Sequence, residues 1–326
     1  MSTFNLYRFS PHHLRAAIHA RLAWSLKQLL DAWPDAEIAP SVVAAEGFFL
    51  RLQRGHVDGC DFLLHHRLVT HLLADEYEQA RGILEVGAAR QPRLRSTVLC
   101  YASTELGDDA RWYAQALSLN DLPSGSLLLT APQPDAAERS RGWLEQLEPL
   151  LQVGSPQAYA ELVAFRPLWL LASVGATSQI GFGGYSSCLA WGTIALNANR
   201  GSCPELLIQA IHELAHQLLF ALALDVPLVF NDPSALYASP LRPDQRPMDG
   251  VMHACFVSAR VLEVLAQIQA SPAWGGLSAT DQARLAKEQQ QSRQSVRDAL
   301  PTIEAFAQLS ALGERVVQAA RGVVEG

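Results

Sequence analysis

Apolar positions in the first third of the chain recur at helical spacing. In "PHHLRAAIHARLAWSLKQLLDAW" Leu14, Ile18, Leu22, Leu26 and Leu30 stand at helical spacing. "SVVAAEGFFLRLQRG" and "CDFLLHHRLVTHLLADEYEQARGILEVGA" continue in the same style, so the chain from Pro11 to about Ala89 predicts a layer of helices. Pro34 and Pro40 separate the first two. Farther on, "STVLCYAS" and "GSLLLTAP" are short runs bounded by turn residues and predict strands, while "AAERSRGWLEQLEPLLQVG" predicts a helix. "YAELVAFRPLWLLAS" then leads into the glycine-rich "GATSQIGFGGYSS", and "CLAWGTIALN" alternates as a half-buried strand does. The expected architecture is α+β and mostly helical. It divides into a helical N-terminal region, 1–135, and a second region, 136–326, with one continuous domain as the alternative.

"GSCPELLIQAIHELAHQLLFALALD" is apolar on nearly every face and so predicts a buried helix running to about Leu224. Ser202 stands at the N-cap, Pro204 in the first turn where its missing N–H costs nothing, and Glu205 three residues after the cap. His212 and His216, four apart, project from the same face and can grip one ion, with Glu213 beside them. This is the spacing of a metallopeptidase helix. The alternating strand just ahead of it predicts a zincin-like arrangement, a metal helix beside the edge of a small sheet.

A third protein ligand is needed. "QLLFALALD" offers no histidine soon after the motif. His253 lies in "PMDGVMHACFVSARVLEVLAQI", near the start of an apolar helix that Asp249 can cap. Asp249 and Glu263 are the acidic alternatives. The histidines of the N-terminal region, among them His12, His19, His65 and His71, form no ligand constellation with Cys or carboxylates and read as surface or packing residues. The glycine run lacks the Lys-Ser/Thr pair of a phosphate loop and reads as a connector or strand bend.

Composition narrows the classes. Nearly half of the 326 residues are apolar, enough for a sizeable core, and the formal charge of -7 argues against a general nucleic-acid binder. Five scattered cysteines without a CxxC pair suit reduced thiols. The start of the chain lacks the features of a secretory signal. The most apolar window, the motif helix, is interrupted by Glu213 and two histidines and falls short of the roughly 20 apolar residues that span a bilayer. The expectation is a soluble cytoplasmic protein without a membrane partner.

The stretch "NDPSALYASPLRPDQRPMDGVMHACF" supplies Tyr237, Pro240, Arg242, Asp244, Arg246, Pro247, Gly250 and His253 in order. Over about residues 160–265 the chain resembles the HExxH-motif peptide-modification family associated with ribosomally made peptide natural products. Members of that family are described as 2-oxoglutarate-dependent peptide β-hydroxylases. Ala254 and Cys255 ahead of Phe256, and Leu241 in place of an aromatic, depart from its pattern and bear on the substrate pocket. The resemblance implies Fe(II), held by His212, His216 and His253, with 2-oxoglutarate and O2 as co-substrates and a ribosomal precursor peptide as substrate. Hydroxylation would fall on a side-chain carbon, Cβ by the family's pattern.

Such chemistry needs an anchor for the distal carboxylate of the keto acid. A guanidinium pairs with a carboxylate through two parallel hydrogen bonds, which makes Arg246 and Arg242 the candidates, Arg246 first, with Tyr237 as a further hydrogen-bonding group. Glu213 would orient a ligand or water. In the rival reading, a zinc peptidase, Glu213 deprotonates metal-bound water. A non-catalytic peptide-binding module is the third class.

Overall fold

The computed structural model describes residues 10–33, 42–117, 127–178, 181–239 and 245–325. The chain forms two compact units. One comprises Pro11–Glu138 and Ala164–Asn199; the other is built mainly from Arg139–Val163 and Arg200–Gly326. The Pro34–Pro40 gap lies outside the described residues.

The first unit carries the predicted helical layer: α1 (Pro11–Asp31), α2 (Val42–Gln53), α3 (Gly59–Leu73), α4 (Tyr77–Ala89) and, after strand β1 (Thr97–Cys100), α5 (Asp109–Leu117). Buried charges tie this layer together. Asp58 caps α3 through Cys60 N–H at 3.0 Å, and Asp61 reaches back to Asp58 N–H at 3.0 Å, closing a capping box. Arg90 then donates to Asp58 at 2.6 Å, Asp61 at 3.1 Å and Asp109 at 2.8 Å, and Arg51 donates to Asp61 at 2.6 Å. Each carboxylate is matched, which is the condition for keeping charge in an interior.

The same unit holds the sheet, completed by β2 (Leu129–Thr130) and, beyond α6 (Pro134–Leu144), α7 (Leu147–Gly154) and α8 (Pro156–Phe165), by β3 (Leu168–Val174), β4 (Gly184–Ser186) and β5 (Thr193–Asn197). Its order is β1-β3-β5-β4, with β1, β3 and β5 parallel, β4 antiparallel to β5, and β2 antiparallel to the end of β3. Three expectations are corrected. β3, read only as a lead-in, is the central strand; its run of apolar residues is buried along nearly its whole length, as parallel strands covered on both faces are. β5 is neither alternating nor at the edge: its first four residues are all buried, and it lies between β3 and β4. The edge strand β4 comes instead from the glycine-rich stretch. Gly59, at the start of α3, lies against β5 so closely that a Cβ there would meet Thr193 Oγ1 at 2.0 Å.

The second unit is helical. To α7 and most of α8 it adds α9 (Cys203–Leu222), α10 (Met248–Gln269), α11 (Pro272–Gly275), α12 (Ala279–Phe306) and α13 (Ala311–Glu325). Its centre is α10, which packs against α7, α9, α12 and α13. The expected helix over 136–154 is two, α6 and α7, broken at Glu145–Gln146. Midway along α10, Arg260 donates to both oxygens of Glu161, at 2.9 and 2.8 Å, and to Glu263, all three buried. α10 also corrects a reading of the sequence. This helix, not α9, is long and apolar enough to cross a membrane, yet 78% of its apolar window is buried within the protein.

Candidate metal centre

The motif helix forms as its sequence requires, with one difference at its start. Ser202 has extended N-cap backbone, φ -155° and ψ 157°, but its hydroxyl makes no capping bond. Such a hydroxyl bonds the N–H two or three residues on; Pro204 removes the first of these, and the second, of Glu205, is not taken. Glu205 reaches back one residue farther than a capping box would, to Gly201 N–H at 3.1 Å. From this start α9 carries His212, Glu213 and His216 toward the interior of its unit. The two histidines are half-buried and Glu213 is buried.

The ring centroids of His212 and His216 are 5.1 Å apart. Two imidazoles sharing one ion at about 2.0 to 2.1 Å in tetrahedral geometry have centroids about 5 Å apart, so the spacing of this pair matches that of two ligands to one ion. His216 Nδ1 is buried with no hydrogen-bond partner among the described residues. A buried polar nitrogen left unmatched carries a desolvation cost that a metal or an outer hydrogen bond would remove. Burial pushes His212 down to about 4. Burial, helped by His212 and His253, pushes His216 down to about 3. Both rings are therefore neutral at physiological pH, the form that binds metals.

His253 sits on the first turns of α10, with its ring centroid 6.1 Å from that of His216. This is about 1 Å wider than a shared ion asks. Its Nε2 lies 3.5 Å from Asp249 Oδ2, one turn earlier. Burial lowers its pKa and Asp249 opposes the shift. Among the described residues no three His, Cys, Asp or Glu side chains converge into a closed metal shell. His212 and His216 make the pair, and His253 stands beside them, turned toward Asp249. Phe220 lies against both His216, 5.9 Å away and nearly parallel, and His253, 6.0 Å away.

The acidic alternatives are placed differently. Asp249 does not cap α10: Pro247 is the N-cap residue, and Asp249 lies exposed in the first turn. Glu263 is engaged by Arg260. Ten residues beyond His253, it lies about 15 Å farther along the helix.

Glu213 accepts a hydrogen bond from Gln209 Nε2 at 2.8 Å, and Gln209 Oε1 accepts from Arg200 Nη2 at 3.3 Å. One carboxylate oxygen is thus held along its own helix. Tyr237 and Arg246 are brought together by their backbones, which exchange two hydrogen bonds of 2.8 Å. The Tyr237 hydroxyl accepts from Asn231 Nδ2 at 3.0 Å, and the Arg246 side chain lies over Gly250, a turn before His253. Arg242 lies outside the described residues.

One part of the site was not anticipated. His212 opens on a cavity of about 420 Å³ whose far wall is α12, with Glu288, Gln291, Ser292 and Asp298. Burial raises the pKa of Glu288 above the usual carboxylate range. The five cysteines are free, and burial pushes the Cys255 thiol up to about 12. No family model matches the chain, and no curated protein matches it.

Proposed function

We propose that the chain is an iron(II)- and 2-oxoglutarate-dependent hydroxylase acting on a side-chain carbon, Cβ, of a ribosomally made precursor peptide, on a zincin-like helix and in the cytoplasm. The observation that supports it is the close approach of three imidazoles, His212 and His216 as a pair with His253 beside them, and the unpartnered Nδ1 of His216. Iron(II), when bound, supplies the chemistry that couples 2-oxoglutarate decarboxylation to oxygen insertion.

The remaining steps belong to the chain. His212 and His216 would hold the ion, with His253, now beside Asp249, as the third residue that would complete the set. Phe220 shields the His216 ring from water. Arg246, steadied by its backbone pairing with Tyr237, receives the distal carboxylate of the keto acid through two parallel hydrogen bonds. Glu213, held by the Gln209 side chain at 2.8 Å, orients a ligand or water.

The test is mass spectrometry of a precursor peptide encoded beside the chain, incubated with anaerobically purified protein, iron(II) and 2-oxoglutarate, before and after admission of air. The expected result is a mass gain of one oxygen atom, dependent on air and on 2-oxoglutarate, with matching succinate. Cleavage of the peptide by the zinc-loaded protein would replace this reading with hydrolysis. Protein that retains no stoichiometric metal would replace it with a binding module.

A further inference from the structure

In the unit that holds the sheet, two arginines come together without acidic partners. Arg15, on the first turns of α1, is half-buried, and its Nε is buried with no hydrogen-bond partner. Arg166, just after α8, is exposed and donates only to the Leu94 carbonyl, at 3.4 Å. Among the described residues neither forms an ion pair. The two guanidiniums are near enough to repel: after burial, Arg166 is what lowers the pKa of Arg15. Arg166 also has φ 49°, a left-handed conformation rare outside glycine, and it stands before Pro167, a position that restricts the backbone further. Unmatched like charges and a strained backbone at one place both cost stability, and such outliers collect where a ligand is held.

Both arginines line one concavity, whose apolar side includes Phe165 and Trp191. The other charged groups there are already matched. Arg93 is bound to Asp109 and to the carbonyls of Glu105 and Leu106. Asp58 accepts from Arg90 and from Arg93 N–H, each at 2.6 Å. His19, also in the lining, is kept neutral by burial. The uncompensated charge is that of Arg15 and Arg166, and the space between them and the other walls is about 10 Å³, room for a single oxygen atom or water.

We propose that Arg15 and Arg166 form a binding site for an oxyanion, a carboxylate or phosphate group, that inserts one oxygen into this concavity and leaves the rest of its molecule outside. An oxyanion supplies acceptors for both guanidiniums and removes their repulsion at once. The site is independent of the metal reading.

The test is thermal unfolding of the full chain in sodium chloride, sodium acetate and sodium phosphate at matched ionic strength, with Arg166→Gln and Arg15→Gln alongside. Acetate or phosphate is expected to raise the melting temperature of the unaltered protein saturably above chloride, the more effective anion identifying the ligand group. Both variants should bind that anion roughly tenfold more weakly or worse, the loss of a charged hydrogen bond. In chloride, Arg166→Gln should melt no earlier than the unaltered protein, because a repulsion has been removed. Equal rises in all three proteins, the general effect of excluded salts, would overturn the site. So would no saturable rise, or early melting of Arg166→Gln in chloride, the behaviour of a structural arginine.

Discussion

His19 predicts a measurable acid sensitivity. It is 6% exposed, edge-on to Trp191 with centroids 5.7 Å apart, and beside Phe62 at 6.2 Å. Burial, and then the Arg15 charge, push its pKa down to about 3. In the unfolded chain the value is about 6.5. As pH falls the unfolded chain therefore takes the proton first, so stability is intact above about 6.5 and is lost on acidification from there toward 3. At pH 5 an unfolded histidine with that pKa favours the protonated form by about 30 to 1, while the folded one is almost unprotonated. The loss is about 2 kcal/mol. Because the folded value lies well below pH 5, the figure depends almost wholly on the unfolded pKa. The assay is urea unfolding of the unaltered protein and of His19→Phe at pH 7 and pH 5. Phenylalanine suits the Trp191 and Phe62 surroundings, and its own packing cost is the same at both pH values and cancels in the difference. His65, His212 and His216 are lowered too and stay in both proteins. The variant should lose about 2 kcal/mol less between the two pH values. An equal loss in both proteins would refute the reasoning, since His19 would then be taking up its proton inside the folded state.

Three further outcomes are expected. His216→Ala should lose stoichiometric iron, measured by elemental analysis of anaerobically purified protein, and relieve the buried, unpartnered Nδ1. Glu213→Gln should keep the metal and lower oxygen insertion by about 10- to 100-fold, the scale of an outer-shell residue; abolished peptide cleavage in a zinc-loaded protein would mark it as a general base. Gly59→Ala should destabilise by about 1–3 kcal/mol in urea unfolding, since its methyl would sit 2.0 Å from Thr193 Oγ1. Adding Thr193→Ala should restore only part of that, because the Cβ at position 193 remains 3.0 Å and the Ala190 carbonyl oxygen 3.1 Å from the new methyl.

The helices were legible because their signal is local. Leu14, Ile18, Leu22 and Leu26 are all buried on α1, as their spacing requires. The sheet was not, because its signal is pairing at a distance. Leu168–Leu171 meets Thr97–Cys100 on one side and Thr193–Leu196 on the other, and a continuous apolar run alone does not separate a buried strand from a buried helix. "CLAWGTIALN" misled for a related reason. Its small and large residues look alternating, but the β3 and β4 neighbours that bury it are set by other parts of the chain. Segments Arg139–Val163 and Ala164–Asn199 join different units. The change falls within α8, where no proline, glycine or charge run marks it.

At the site the division is the same. The i, i+4 spacing of His212 and His216 is a local rule, and the 5.1 Å separation follows from helix geometry once α9 forms. The distance from His216 to His253 depends on how α10 packs against α9, and no spacing in sequence encodes it. The α12 wall was invisible, because Gln291, Ser292 and Asp298 on a polar helix read as a solvated face. Asp249 is where local and non-local effects meet. Four residues before His253, it attracts the imidazole within their shared helix, while an ion at His212 and His216 would draw the same ring toward α9. His253 can satisfy only one of them with Nε2. The apo protein should therefore show Asp249→Asn as a fall in the His253 pKa by NMR, since the counter-charge that raises it is gone. Metal affinity should rise or stay level in that variant if His253 is a ligand; a marked fall would assign Asp249 to the metal instead.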